Sequence, residues 1–573
     1  MFDGAQFSGN AWFGGAQFSG HAMFDGARFT GDARFAGAQF AGDAMFDRAQ
    51  FSGITRFGGA QFSGSAMFDG AQFSGSARFD GAQFSGKARF DGAQFSEIAG
   101  FGGAQFSGVT RFGGTRFSGY AWFDGARFSR LARFVGAQFS AEAGFGGTQF
   151  SRDAGFRGAR FSGDAGFDGA QFSGDAGFDG AQFLGRAGFD RAVFSVLSWF
   201  GPVVCGQGVD LSGAVFEVPV TLEIAAPEVL CVRTRWESTA TMRLRYATVD
   251  LSHAVLSFPV AVTAHPTCFT AGNGPVDESL LAGAAGVRVA SIQGVDAAHL
   301  VLTDTDLGDC LFTGAFHLDQ LRLEGRCVFA PVPAGWHLRG VRPARWTRRR
   351  TLAEEHHWRA HWSGQPAASP GQPPSPDAWR TGPHHLNPDL TPDPEDVATT
   401  YRQLRKAFED SKNEPGAADF YYGEMEMRRH DRTSTPPGER GLLHGYWLLS
   451  GYGLRASRAL GWLAAAMLVT IMLLMGFGIP QESPKQKATG TVPPGGGATA
   501  FVIDKEDPQN PTGDRFTGKR FDKALNVTLN SVVFRSSGQD LTTSGTYIEM
   551  TSRILEPTLL ALAALAVRGR IKR

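Results

Sequence analysis

A mainly β fold, a right-handed β-solenoid followed by an α-helical pair and a transmembrane helical hairpin, follows from three observations. Phenylalanine recurs every 11 residues from Phe2 to Phe200, and a second 11-residue series runs from Phe7 to Phe194. The two series interleave with steps of 5 and 6. Far downstream, the whole run Ala459–Ile479 is free of charge. At 573 residues the chain is too long for one ordinary core, so several regions are expected.

The repeat reads F-x-G-A-x-F-S-G-x-A-x over residues 1–200. One such unit cannot bury its apolar face alone, so a fixed short period means stacked coils. Ala5, Ala11 and Ala16 stand two before Phe7, Phe13 and Phe18. Because strand side chains alternate, Ala and Phe share the inner face while Gln6, Trp12 and Gln17 point out. The predicted core therefore begins Phe2, Phe7, Phe13, Phe18, Phe24 and Phe29 with Ala5, Ala11 and Ala16. Gly4, Gly9, Gly15 and Gly20 fall at the corners, where positive φ suits glycine. A helix is excluded, since each interior glycine would cost about 1 kcal/mol relative to alanine.

In these residues the chain resembles the pentapeptide-repeat family, whose unit is a small residue, any residue and a central Leu or Phe. The departure is one extra residue in every second unit. If four faces make one coil, Phe2 and Phe24 take equivalent places in successive coils, and each coil is longer than four pentapeptides. Nine coils at about 4.8 Å give a rod of roughly 43 Å. Phe2 lies inside a repeat with no cap before it. Solenoid ends need covering, so either further sequence precedes this end or a partner covers it.

Charge bears on what the resemblance implies. Some members of the family mimic duplex DNA and inhibit DNA gyrase, which requires an acidic rod. Residues 1–200 carry 15 Asp and 2 Glu against 16 Arg and 1 Lys. That balance argues against DNA mimicry and offers no basic groove for nucleic acid. The whole chain is equally balanced, with 55 residues of each sign. All five cysteines (Cys205, Cys231, Cys268, Cys310 and Cys327) lie in one stretch without a CxxC pair, which predicts reduced core thiols. No basic segment followed by an apolar one opens the chain, so no cleavable signal peptide is expected.

From 201 to 338 the repeat decays into degenerate solenoid or an irregular β capping region. Val209–Phe216, Val249–Leu256 and Asp306–Phe316 keep the small-x-apolar rhythm. Residues 339–362 read as a basic helix, solvated or facing a membrane. Glu354, Glu355, His356 and His357 lack the HExxH spacing that places two His on one helix face, so no metal site is expected. Residues 363–394 have the Pro-rich composition of a linker. Residues 395–432 read as two helices, with Val397, Tyr401, Leu404 and Phe408 on one apolar stripe and Tyr421 and Tyr422 on the second helix.

Residues 433–573 form the expected membrane module, with spans at about 459–479 and 546–567. The first would extend about 31 Å, enough for the hydrocarbon core. Arg455 and Arg458 precede it, and Trp447, Tyr452 and Trp462 supply interfacial aromatics. The second admits Glu549, Arg553 and Glu556, which share one helix face and can pair. Such a stripe should face the first span, another subunit or water, which allows a homo-oligomer through the spans. Basic residues before the first span and at Arg568–Arg573 place both termini in the cytoplasm of a multi-pass cell-membrane protein of bacterial type. Residues 480–545 become an external loop.

A span, an amphipathic segment (Ala524–Phe534) and a second span together are similar to the two-span pore module of potassium channels. That resemblance implies a carbonyl-lined filter at Phe534–Leu541. The stretch keeps Gly538 and Asp540 but lacks the second glycine and the aromatic, and Arg535 opposes cations. No catalytic motif, nucleotide loop or cofactor fingerprint is present, so no enzyme and no cofactor are expected. The leading expectation is a membrane-anchored scaffold presenting the rod to a protein partner. The rival expectation is a channel-like or transport protein, and gyrase inhibition ranks last.

Overall fold

A computed structural model describes residues 1–272, 274–334, 336–339, 342–365, 375–382, 393–482, 484–490, 494–495 and 501–571. Most of the expected linker (366–374 and 383–392) and the terminal pair 572–573 lie outside the described residues. The chain divides into two compact units, Met1–Asn413 and Glu414–Arg573.

The first unit is a parallel β-solenoid of about 14 coils. Four sheets of 15, 14, 12 and 8 strands run along it. Through the regular repeat the strands are two residues long, and each pairs with its equivalent in the next coil, as Gln6–Phe7 does with Arg28–Phe29. The step of 5 is a tight turn: the Ala5 N–H donates to the Phe2 carbonyl, and Gly4 takes φ 63°. The step of 6 is an open bend with no such bond. Alternating a tight and an open corner is the physical meaning of the 11-residue unit.

The phenylalanines form four columns. Successive rings stack at 4.6–5.1 Å, nearly parallel within a column, while rings of neighbouring columns meet edge to face. Phe24 and Phe29 are fully buried. The first coil has a coil on one side only, so Phe2 is 37% exposed, and Phe7, Phe13, Phe18, Ala5 and Ala16 are only partly buried.

The corner glycines correct the expectation that all need positive φ. Gly4 and Gly15 do, but Gly9 and Gly20 do not. At this second kind of corner the coils pass closer than a side chain allows. A Cβ on Gly108 would stand 1.9 Å from the Gly86 carbonyl oxygen. At the tight corners the outward aspartates bind the next coil. Asp25, Asp47 and Asp69 accept the backbone N–H groups of Asp47, Asp69 and Asp91 at 2.9–3.0 Å.

Beyond residue 200 the solenoid continues with shorter coils, as Val209 pairs with Val229 and Val229 with Val249. Strands of five to seven residues (Trp199–Cys205, Val220–Ala225, Ala240–Arg245 and Val260–Ala264) replace two short strands and their corner. The eight-stranded sheet accordingly ends at Ala176–Gly177. All five cysteines are free; Cys205, Cys231 and Cys310 are buried, whereas Cys268 is exposed.

The far end of the solenoid is closed by helices α1 (Ala353–Trp362) and α2 (Pro394–Asp410). A solvated or membrane-facing helix was expected at 339–362; instead Glu354, Glu355, His356 and Arg359 of α1 are buried. Glu354 accepts the amide N–H groups of Phe312 and Thr313, which belong to a late coil. Glu355 binds Arg349 (2.5 and 2.7 Å), Arg359 (2.7 Å) and the Tyr401 hydroxyl (2.6 Å). Burial alone would raise its pKa, but Arg349 and Arg359 hold the carboxyl well below the usual carboxylate range. The α2 stripe Val397, Tyr401, Leu404 and Phe408 is buried, with the Phe408 ring 5.8 Å from Phe329. Glu354 and Glu355, neighbours in the chain, thus serve separate contacts, one with a late coil and the other with Arg349, Arg359 and Tyr401.

The second unit contains α3 (Glu414–His430), α4 (Pro437–Ser450), α5 (Ala456–Leu473), α6 (Gly518–Val532) and α7 (Thr543–Ile571). A small core joins Tyr422 of α3, Tyr452 and Leu454. Tyr452 is therefore buried rather than interfacial, and its hydroxyl donates to Glu426 at 3.1 Å. Trp462 is 43% exposed.

Candidate functional site

The polar residues singled out in the C-terminal hairpin lie where α5, α6 and α7 meet. The first apolar helix runs Ala456–Gly478, with a π-helical turn at Leu474–Gly478; the second runs Thr543–Arg568. Both are long and apolar enough to cross a membrane, with mean hydropathies of 2.2 and 1.4. Ala459, Leu463, Thr470, Ile471 and Leu474 form the buried stripe of α5 at helical spacing. Gly478 and Gly545 let the helices touch at one end. A Cβ on Gly545 would meet the Gly478 oxygen at 2.3 Å.

Helix α6 begins earlier than the predicted amphipathic segment and packs against both apolar helices. Ala524 and Val527 join Ile471, Leu474, Met475 and Ile479 in one core. The buried Arg520 donates to the carbonyls of Met475 (2.8 Å) and Ile479 (2.6 Å), at the C-terminal end of the helix where carbonyls lack intrahelical partners. The stretch 480–545 is thus more than a loop: α6 returns between the helices that flank it.

Glu549 and Arg553 pair at 2.8 Å, and the Ser537 amide also donates to Glu549. The polar stripe thereby holds the segment after α6. Glu556 does not extend the pair. It lies fully buried and meets the Thr470 hydroxyl of α5 at 2.8 Å. Gly538 takes φ 62°, which glycine adopts freely. Asp540 is ion-paired with Lys505 of the antiparallel hairpin Gln486–Thr489/Val502–Lys505. Gly538 and Asp540 are therefore in the segment joining α6 to α7, with Asp540 held sideways by a cation. Sequence reasoning found the stripe but missed Thr470, Arg520 and the Gly478–Gly545 contact. A polar or small residue within an apolar run is the signal for each.

Fold and site together define a parallel β-solenoid protein with two helices able to span a membrane. Residues 2–50, 46–94, 90–138 and 123–171 match the family model for pentapeptide repeats (9 copies), so the regular part of the N-terminal solenoid is built of pentapeptide repeats. No curated protein and no solved structure matches it significantly.

Proposed function

We propose that this protein is a membrane-anchored, non-catalytic scaffold that presents its pentapeptide-repeat rod to a protein partner on the cytoplasmic side. The observation that carries the reading is the joining, in one chain, of a rigid polar-faced solenoid to two apolar helices. The Arg/Lys residues flanking those helices support a topology with both termini in the cytoplasm. Membrane fractionation tests the anchor: the full-length chain should resist an alkaline wash and require detergent. Recovery in the soluble fraction would sink it.

A second reading is favoured by α6. If the hairpin is embedded, Asn526 and the segment after α6 would enter the bilayer while exposed on the isolated subunit. Irregular backbone at that depth is tolerated only against protein or water. A homo-oligomer through the spans, with α6 lining a water-filled axis, satisfies this and would permit conduction. Purified protein in planar bilayers distinguishes the two readings. Unitary currents altered by Asp540→Asn support a pore, whereas silent bilayers containing assembled oligomers leave the anchor alone.

A further inference from the structure

Glu556 is the most isolated charge-bearing group among the described residues of the second unit. None of its surface is accessible, and among the described residues its Oε1 meets only the Thr470 hydroxyl, while Oε2 has no hydrogen-bond partner. The charged groups described on the helices packed against α7 are engaged elsewhere or exposed. On α5, Arg458 donates to the Trp447 carbonyl. On α6, Arg520 holds the carbonyls of Met475 and Ile479, and Lys519, Asp522 and Lys523 are exposed. On α4, Glu439 pairs with Arg428, Arg440 is partly exposed, and His444 bonds to the Arg440 carbonyl. On α7 itself, Arg553 pairs with Glu549 and Arg568 is exposed.

We propose that Glu556 is a proton-binding site within the apolar helix pair, carrying its proton at neutral pH and bonded to Thr470 across α5 and α7. A carboxylate there would be a buried charge whose one partner is a neutral hydroxyl, an arrangement costing several kcal/mol that the neutral acid avoids. A metal cation is a poorer occupant. Hard cations take six or more oxygens, and among the described residues Thr470 Oγ1 is the one side-chain oxygen bonded to the carboxyl. Losing the proton would place an uncompensated charge at the α5–α7 contact, so this contact should weaken at alkaline pH.

The inference rests on the membrane-anchor reading for the apolar medium around the helices, but its test is separate. The infrared spectrum of the detergent-purified full chain at neutral pH should contain the carbonyl stretch of a neutral carboxyl. Glu556→Gln removes that band, Glu549→Gln retains it, and Thr470→Val moves it to higher frequency by deleting a hydrogen bond. Glu556→Gln, which resembles the neutral acid in shape, should also keep its melting temperature on alkalinisation where the wild type loses several degrees. A spectrum without the band, or with a band unchanged by Glu556→Gln, overturns the proposal. A band that persists in protein recovered from the soluble fraction would sink the anchor and leave the proton site standing.

Discussion

The closure of the solenoid should depend on pH through His356. Its ring is 1% exposed and lies 5.0 Å from Trp379. Nδ1 accepts the Arg380 N–H at 3.2 Å, so the proton of the neutral ring sits on Nε2, facing the Thr351 hydroxyl at 2.8 Å. The hydroxyl in turn donates to the Ala330 carbonyl. A second ring proton would confront the Arg380 N–H. Burial, assisted by Arg380, pushes the pKa down from 6.5 to about 3. The unfolded chain therefore binds a proton below pH 6.5 that the folded chain refuses, and stability falls as pH drops from 6.5 towards 3. At pH 4.5 the loss from this ring is about 3 kcal/mol, a large share of a folded unit's typical net stability of about 5–15 kcal/mol. Glu355, held low by Arg349 and Arg359, acts with the same sign but only below its unfolded value of 4.5. Urea unfolding of the detergent-solubilised chain, followed by tryptophan fluorescence at pH 7.5, 6 and 4.5, reads the effect. In His356→Gln the amide can still accept from Arg380 and donate to Thr351, so the variant should lose less stability between pH 7.5 and 4.5 than the wild type. Equal slopes in the two proteins would refute the assignment of a neutral ring.

Other consequences follow from the same geometry. Phe95 is stacked between Phe73 and Phe117 at 4.7 and 5.0 Å, so Phe95→Ala should cost about 3–5 kcal/mol and open the neighbouring coils to protease, whereas Gln94→Ala on the outer face should stay within about 0.5 kcal/mol. Gly103 has φ 63° and open space for a Cβ, so Gly103→Ala costs about 1 kcal/mol of backbone strain. Gly108→Ala forces two backbones apart and should cost about 3 kcal/mol, which thermal melts of the two variants would rank. Gly545→Val should drive α7 from α5 and lower the melting temperature of the detergent-solubilised protein, leaving the solenoid's circular dichroism unchanged.

The Phe columns were legible because a solenoid repeats the same burial problem in every coil, and the answer is written at a fixed spacing. The role of Gly9 and Gly20 was not legible, since close approach depends on the coil stacked beside them rather than on local sequence. The shortening of the coil after residue 200 was equally hidden. The rhythm of Val209–Phe216 and Val249–Leu256 announced further coils, but the merging of two faces into strands such as Val220–Ala225 leaves only a β-branched, apolar run. In α1 the residue types suggested a solvated surface because Glu355 finds Tyr401 only across a long stretch of chain. In the hairpin the face shared by Glu549, Arg553 and Glu556 could be read from helical spacing. That Arg553 pairs with Glu549, and Glu556 turns to Thr470, needed the position of α5.

The outer columns of the rod bear on where a partner would bind. Over the first five coils two sheets repeat nearly the same outward residue, Gln6, Arg28, Gln50, Gln72 and Gln94 on one and Gln17, Gln39, Gln61, Gln83 and Gln105 on another, before Arg116, Arg127 and Arg160 interrupt them. The other two change along their length, from Trp12 through Arg34, Arg56 and Arg78 to Gly100, and from Met23, Met45 and Met67 to Arg89 and Arg111. Within its glutamine run such a ladder presents the same hydrogen-bonding groups at every level and cannot fix a partner's position along that stretch. The varied faces can, because Trp12 with Arg34 stacked on it at 4.1 Å and the run Arg34, Arg56 and Arg78 each occur at a particular height. If the proposed partner is captured with the full-length chain, replacing Arg34, Arg56 and Arg78 together by Gln should release it, and replacing Gln61, Gln83 and Gln105 by Ala should not. If the Gln set releases it and the Arg set does not, recognition runs through the uniform face, and the rod reads its partner by spacing alone.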